Sequence, residues 1–126
     1  MSTRKKIFLK QDEEKEILQG FPWVFDNEIL LIKNNDENHP IQDGSEVDVF
    51  SKSGNFLGTG IYNSKSKISV RILSRKKDVE FNSEFFEKRI QDALDIRFMN
   101  YKKSDSYRLI FAEADFLPGL IVERYV

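Results

Sequence analysis

Apolar positions along this chain change their spacing more than once, and each change marks an element. "KIFLK" from Lys6 reads as a short strand. "DEEKEILQG" then reads as a short helix with acids in its first turn and Gly20 as its C-terminal cap. "PWVFDNEILLIK" follows with a compact aromatic and aliphatic cluster and an apolar run that suits a buried strand, and "NNDENHPIQDG" has the composition of a loop. From Ser45 the apolar residues alternate: "SEVDVFS", "FLGTGIYN" and "ISVRILS" are strands separated by the turns "KSGN" and "SKSK". Alternation places Ile68, Val70 and Ile72 on one face and Ser69, Arg71 and Leu73 on the other, so Arg71 points away from the main apolar face. Gly58 and Gly60 inside a strand predict a bulge or a close backbone approach, as in a tightly curled barrel.

Near "SRKKDVEFNSEFF" the period lengthens to about 3.6. Asn82 or Ser83 is the N-cap, Glu84 and Glu87 lie in the first turn, and Phe86, Ile90, Ala93, Leu94 and Arg97 share one face to about Asn100. After "YKKSDS", the runs "YRLIFAEAD" and "LIVERYV" form a closing hairpin around Leu117-Pro118-Gly119, whose second strand meets no stop signal. The expected class is α+β: residues 1–76 as a small mixed β-barrel, then residues 77–126 as a linking helix and a β-hairpin.

Composition narrows the chemistry. With 126 residues and 40% hydrophobic content there is enough chain for one ordinary domain, or a small domain and part of another. The absence of cysteine excludes disulfides, a thiolate nucleophile and cysteine-ligated zinc from this segment. His39, the one histidine, sits in a polar stretch before a proline and reads as a solvated loop residue. No apolar run reaches membrane-spanning or signal-peptide length, so no membrane partner is expected and an intracellular, cytoplasmic protein is.

The net charge of −1 hides a separation of sign. Residues 11–50 carry eleven acids against two lysines, whereas residues 51–77 carry seven cations and no acid. Such a segment attracts a polyanion even in a slightly acidic chain. Combined with Phe56 and Tyr62 it suits RNA, since cations neutralise phosphates and flat side chains stack on unpaired bases. The candidate contacts are Tyr62, Asn63, Lys65, Ser66, Lys67 and Arg71, with the Arg71 guanidinium able to fork onto a phosphate. In "GFPWVF", Trp23 and Phe25 read as core anchors and Gly20 as a place where a nucleic-acid backbone can approach closely. Glu113 and Asp115 alternate on one strand, but no histidine or third carboxylate lies near enough in sequence to complete a site. They read as structural ion-pairing groups and not as an active site, while Phe85, Phe86, Ile90 and Leu94 read as core.

Four ordered blocks carry a resemblance: "GFPWVFDNEI", "DGSEVDVFSKSGNFLGTGIYNSKSKISVRIL", "EFFEKRIQDALDIR" and "YRLIFAEADFLPGLIVERY". In order and spacing they resemble the S-adenosylmethionine-dependent methyltransferases of large-subunit ribosomal RNA that make 5-methylcytosine. The resemblance spans almost the whole chain and implies an N-terminal PUA domain, an RNA-binding pseudo-barrel, followed by the start of a central domain. It also implies that the methyl-donor site and the cysteine nucleophile lie beyond Val126, so that this segment alone has no cofactor, no catalytic residue and no activity. Phe21 departs from a common His, Ser64 from the Pro of "YNP", Phe116 from the Gly of "DGLPGL", and Glu123 from an Asp. None of these removes a cation.

Two functions from different classes follow as expectations. In one, the chain positions ribosomal RNA for a catalytic domain elsewhere in a longer enzyme. In the other, it is a docking module without RNA affinity, pairing with a second copy to form a homodimer through the open strand at 120–126.

Overall fold

The computed structural model describes residues 4–33, 40–100, 106–111 and 121–124. His39, Glu113, Asp115 and the Leu117-Pro118-Gly119 turn lie outside the described residues. The chain divides into two compact units, Met1–Val79 and Glu80–Val126.

In the first unit the strands are β1 (Lys5–Leu9), β2 (Trp23–Phe25), β3 (Ile29–Lys33), β4 (Glu46–Phe50), β5 (Phe56–Tyr62) and β6 (Ile68–Ser74), with a short helix α1 (Glu14–Leu18) and one 3-10 turn (Asp26–Glu28). They form one sheet in the order β2-β6-β5-β4-β1-β3. β1 runs parallel to β4, and every other pairing is antiparallel. Register shifts interrupt four of these ladders, each adding local bend and twist, and the sheet curls into a half-barrel.

The inner face follows from period-two alternation. Ile7 and Leu9, Val47 and Val49, Val70 and Ile72, with Val24 and Leu57, close around Ile17 of α1. Burying each such side chain contributes roughly 1.5–3 kcal/mol, which makes this cluster the main source of stability in the unit. The close approach expected at Gly58 and Gly60 is present. A Cβ at Gly60 would lie 2.2 Å from the Arg71 carbonyl oxygen, and one at Gly58 2.8 Å from the Ile72 side chain. The ladder between β5 and β6 shifts register at Thr59 and Gly60.

Two expectations are corrected here. The apolar run "ILLIK" is not a buried strand: β3 is an end strand of the sheet, and Leu30 and Leu31 are each 47% exposed. Nor are Trp23 and Phe25 the core anchors of β2. Val24 is fully buried while both rings are half-buried, because a three-residue strand can turn only its middle residue inward when both neighbours face the other way.

The second unit holds α2 (Ser83–Asn100), β7 (Tyr107–Phe111) and β8 (Ile121–Arg124), the two strands pairing antiparallel. Asn82 caps α2, its side-chain oxygen accepting the Phe85 N–H at 2.9 Å. Ala93 and Ile110 are buried, with Phe86, Ile90 and Val122 packed against them. Phe85 and Leu94, expected in the core, are half-buried; Phe85 meets Phe86 edge-on at 5.2 Å and lies under the Arg89 guanidinium at 4.6 Å. Arg108 donates from Nε and Nη2 to Oε1 of Glu123, its cross-strand partner, at 3.0 and 2.8 Å. Among the described residues no helix is long and apolar enough to cross a membrane.

Candidate nucleic-acid interface

The turn from Asn63 to Lys67 joins β5 to β6 and is built by its own polar side chains. The Asn63 side-chain oxygen accepts the Lys65 N–H at 2.9 Å, and Ser66 Oγ accepts the Ile68 N–H at 3.1 Å. Asp43 supports it from outside, Oδ1 accepting the Ser64 N–H at 2.7 Å. That backbone bond, a second bond from the Ser64 side chain and the nearby Lys65 charge hold the Asp43 carboxyl below its ordinary value, so it is a carboxylate at neutral pH. With Asn63 and Ser66 occupied in shaping the turn, Lys65 and Lys67 are the groups it presents to solvent.

Arg71 stands further along β6, opposite Trp23 in the ladder, with its guanidinium 5.4 Å from the Trp23 ring centroid. Phe21 and Phe25 flank that ring at 5.7 and 6.4 Å, and a mixed aromatic and cationic face results. The backbone joins this face to the basic turn. The Asp26 N–H donates to the Lys67 carbonyl at 2.9 Å, and the Ile72 N–H donates to the Pro22 carbonyl at 2.7 Å, so β2 is tied to β6 at both ends.

Gly20 has a local reason to be glycine. At φ +110° it follows α1, its N–H donating to the Ile17 carbonyl at 3.0 Å while the Phe21 N–H donates to the Glu16 carbonyl at 3.0 Å. This is a Schellman cap, which favours a residue without Cβ. Arg75 reinforces it by donating to the Ile17 carbonyl and, at 3.0 Å, to the Phe21 carbonyl. The space beside Gly20 is open, with nothing within 4 Å of where a Cβ would stand.

The structure brings Asn63, Lys65, Ser66 and Lys67 together in one turn and ties that turn to the strand opposite Arg71. It does not bring Tyr62 with them. Tyr62 pairs with Val70, on the face opposite Arg71, and its ring packs against the buried core; burial, then the Asp43 charge, raises its phenol above the ordinary value. The basic run of residues 51–77 is also divided. Lys52 and Lys65 belong to turns at opposite ends of β5, which is about 20 Å long at the usual rise per strand residue. Sequence pattern favoured a core place for Trp23 over a stacking one and offered no surface role for the Phe21 ring. The available signal was spacing, since 21, 23 and 25 alternate around a valine that alone can fill the core.

No site for S-adenosylmethionine is found among the described residues. A nucleotide-type cofactor takes a glycine-rich turn between a strand and a helix. Here Gly20 caps a helix, Gly44 and Gly54 take positive φ away from any helix, and Gly58 and Gly60 lie inside β5. Nor do three or more His, Asp or Glu side chains among the described residues gather to hold a metal ion.

The profile of the PUA-like domain matches residues 7–75, more than half of the chain. The chain belongs to the PUA-like domain family. Its relatives are longer proteins: Ribosomal RNA large subunit methyltransferase I of Tolumonas auensis is 34% identical over 99% of this chain and 30% of its own length. The protein of that name from Shewanella denitrificans is 37% identical over 95% of this chain and again 30% of its own length. The same fold occurs in a solved Streptococcus mutans protein assigned as a SAM-dependent methyltransferase, with TM-score 0.74 and 25% identity over 95% of this chain and 30% of that one. A second solved chain, assigned as a methyltransferase and complexed with SAH, has TM-score 0.74 and 24% identity over the same shares. This PUA-like chain therefore spans about 30% of the length of the relatives it matches.

Proposed function

We propose that this PUA-like chain is the RNA-binding N-terminal segment of an S-adenosylmethionine-dependent ribosomal RNA methyltransferase that acts on C5 of cytosine. One observation carries the RNA reading: Lys65 and Lys67 stand exposed on a turn whose Lys67 carbonyl accepts the N–H of Asp26, the residue that follows the short strand holding Trp23 under Arg71. The lysines neutralise phosphates as point charges, and Arg71 on Trp23 presents a planar cation beside a planar ring. The printed names of the relatives supply the methyltransferase part. Residues 1–76 act as the RNA-binding domain and residues 77–126 lead into a central domain, while the methyl donor and the nucleophile belong to other parts of the enzyme, which works on ribosomal RNA in the cytoplasm.

Fluorescence anisotropy with a labelled RNA hairpin tests the reading. Affinity falls steeply between 50 and 200 mM salt, and Lys65→Glu with Lys67→Glu weakens binding by about tenfold or more and lowers the salt slope by about 2. Binding that ignores both salt and the charge reversal overturns it. The exposed Leu30 and Leu31 on end strand β3 favour the rival, a docking or dimerisation module. A concentration-dependent dimer in light scattering, together with no RNA affinity, would establish that rival.

A further inference from the structure

A second aromatic surface lies on the outer face of the sheet, at the Phe56 end of β5, away from the basic turn at its Tyr62 end. Phe8 pairs with Leu31 on one side and with Phe50 on the other, and Phe50 pairs with Phe56. Directly paired residues project to the same side. The buried Ile7, Leu9, Val49 and Leu57, each next in sequence to one of these phenylalanines, show that the row faces outward. It crosses β3, β1, β4 and β5 at right angles to the strands. Phe8 and Phe50 stack with centroids 5.3 Å apart and planes 20° from parallel, and Phe56 meets Phe50 edge-on at 5.7 Å. All three rings are half-buried, and Leu31 at the end of the row is exposed.

Cations lie over this row. Lys6 Nζ is 5.7 Å from the Phe50 centroid and Lys77 Nζ 5.8 Å from that of Phe56, and both lysines are exposed. Lys33 pairs with Lys6 in the ladder, so the charge continues across β3. The acids beside the row are matched already: Glu46 accepts from Arg4 Nε at 3.1 Å, and Asp48 accepts from the Thr59 hydroxyl at 2.8 Å with Arg4 Nη1 at 3.9 Å. An apolar protein partner gains nothing from ammonium groups laid on the rings. A nucleic acid does, because unpaired bases stack on the rings while the ammoniums swing outward to the phosphates, and sheets that present aromatic residues on neighbouring strands bind single-stranded RNA in this way.

We infer that the row Phe8–Phe50–Phe56, with Lys6 and Lys77, is a stacking platform for unpaired nucleotides of RNA, distinct from the basic turn. It deepens the RNA reading above and rests on it. The two surfaces would then read different parts of one RNA: phosphates of a structured region at the turn, splayed bases on the row.

The test uses the chain Met1–Val126 with two labelled probes, an unpaired decaribonucleotide and an RNA hairpin, and reads anisotropy and a thermal melt for each variant. Phe50→Leu keeps apolar bulk and removes the ring. It weakens the unpaired probe by about tenfold and leaves the hairpin within about twofold. Lys6→Glu with Lys77→Glu weakens the unpaired probe at least as much and decides the matter if Phe50→Leu melts, since both lysines are exposed. Unchanged affinity for the unpaired probe in both variants overturns the platform, while a hairpin loss in Lys65→Glu with Lys67→Glu leaves the wider reading standing. No binding of either probe by the wild type overturns both. A dimer that Phe50→Leu dissociates, with RNA affinity unchanged, overturns the platform in favour of a protein contact.

Discussion

The two ends of β5 handle similar residues in different ways. At the Tyr62 end, polar side chains close a tight turn and Lys65 and Lys67 are exposed to solvent. At the Phe56 end, lysines lie across phenylalanines that stack from strand to strand. The run of seven cations in residues 51–77 is therefore divided: Lys65, Lys67 and Arg71 go to one surface, and Lys77 joins Lys6 of β1 on another of different character. Positive charge alone does not describe a polyanion site; what each ammonium rests on decides whether it meets a phosphate or helps to frame a base.

The largest expected effect removes the difference altogether. Gly60→Ala drives a methyl group into the Arg71 carbonyl, a backbone atom that cannot give way alone. It should prise β6 from β5 and cost about 3 kcal/mol in denaturant unfolding, with both surfaces lost together. Unchanged stability would show that the two strands separate easily. Next, Trp23→Leu removes the ring under Arg71 and should weaken hairpin binding by about tenfold at the Tyr62 end while the unpaired probe is spared. An equal loss on both probes would merge the two surfaces into one.

Acid should act on one end first. The Asp43 carboxyl titrates below its ordinary value in the folded chain, so its bond to Ser64 contributes above the unfolded-state value and is lost as pH falls through the lowered one. Hydrogen exchange at the Ser64 amide should therefore quicken relative to its unfolded rate below about pH 4, and Asp43→Ala should show that protection lost at every pH. The smallest effect concerns Glu28, whose carboxyl is raised by burial and by Glu13 and Glu16, against the bond it accepts from the Phe25 N–H at 2.7 Å. A raised carboxyl binds its proton more tightly when folded, so stability falls as pH rises from the ordinary glutamate value through the raised one. Glu28→Gln should flatten that slope in melts taken between pH 4 and 7.

Local pattern was enough for much of this. The helix from Asn82 to Asn100 carries its own cap and period, and the meander from Glu46 to Ser74 alternates cleanly, so both could be read without a partner strand in view. Pairings distant in sequence were another matter. Nothing near "KIFLK" announces that it runs parallel to Glu46–Phe50, some forty residues on, and that pairing is what sets Phe8 against Phe50. The run "ILLIK" looks buried by composition because four of its five residues are apolar; its place at the sheet's end is a property of strand order, which composition does not encode. Trp23 misled for a related reason: large rings usually fill cores, but on a three-residue strand the valine between them took the inward position.

Arg4 closes the first unit in a way that bears on its history. It binds Glu46 and the Val79 carbonyl, so a residue at the start of the unit holds the residue at its end. A module whose entry and exit are clasped together can be spliced into a longer polypeptide, or lifted out of one, without threading and with little disturbance to what surrounds it. Under tension applied across such a splice, that clasp would be the first contact to bear load, ahead of any strand in the sheet.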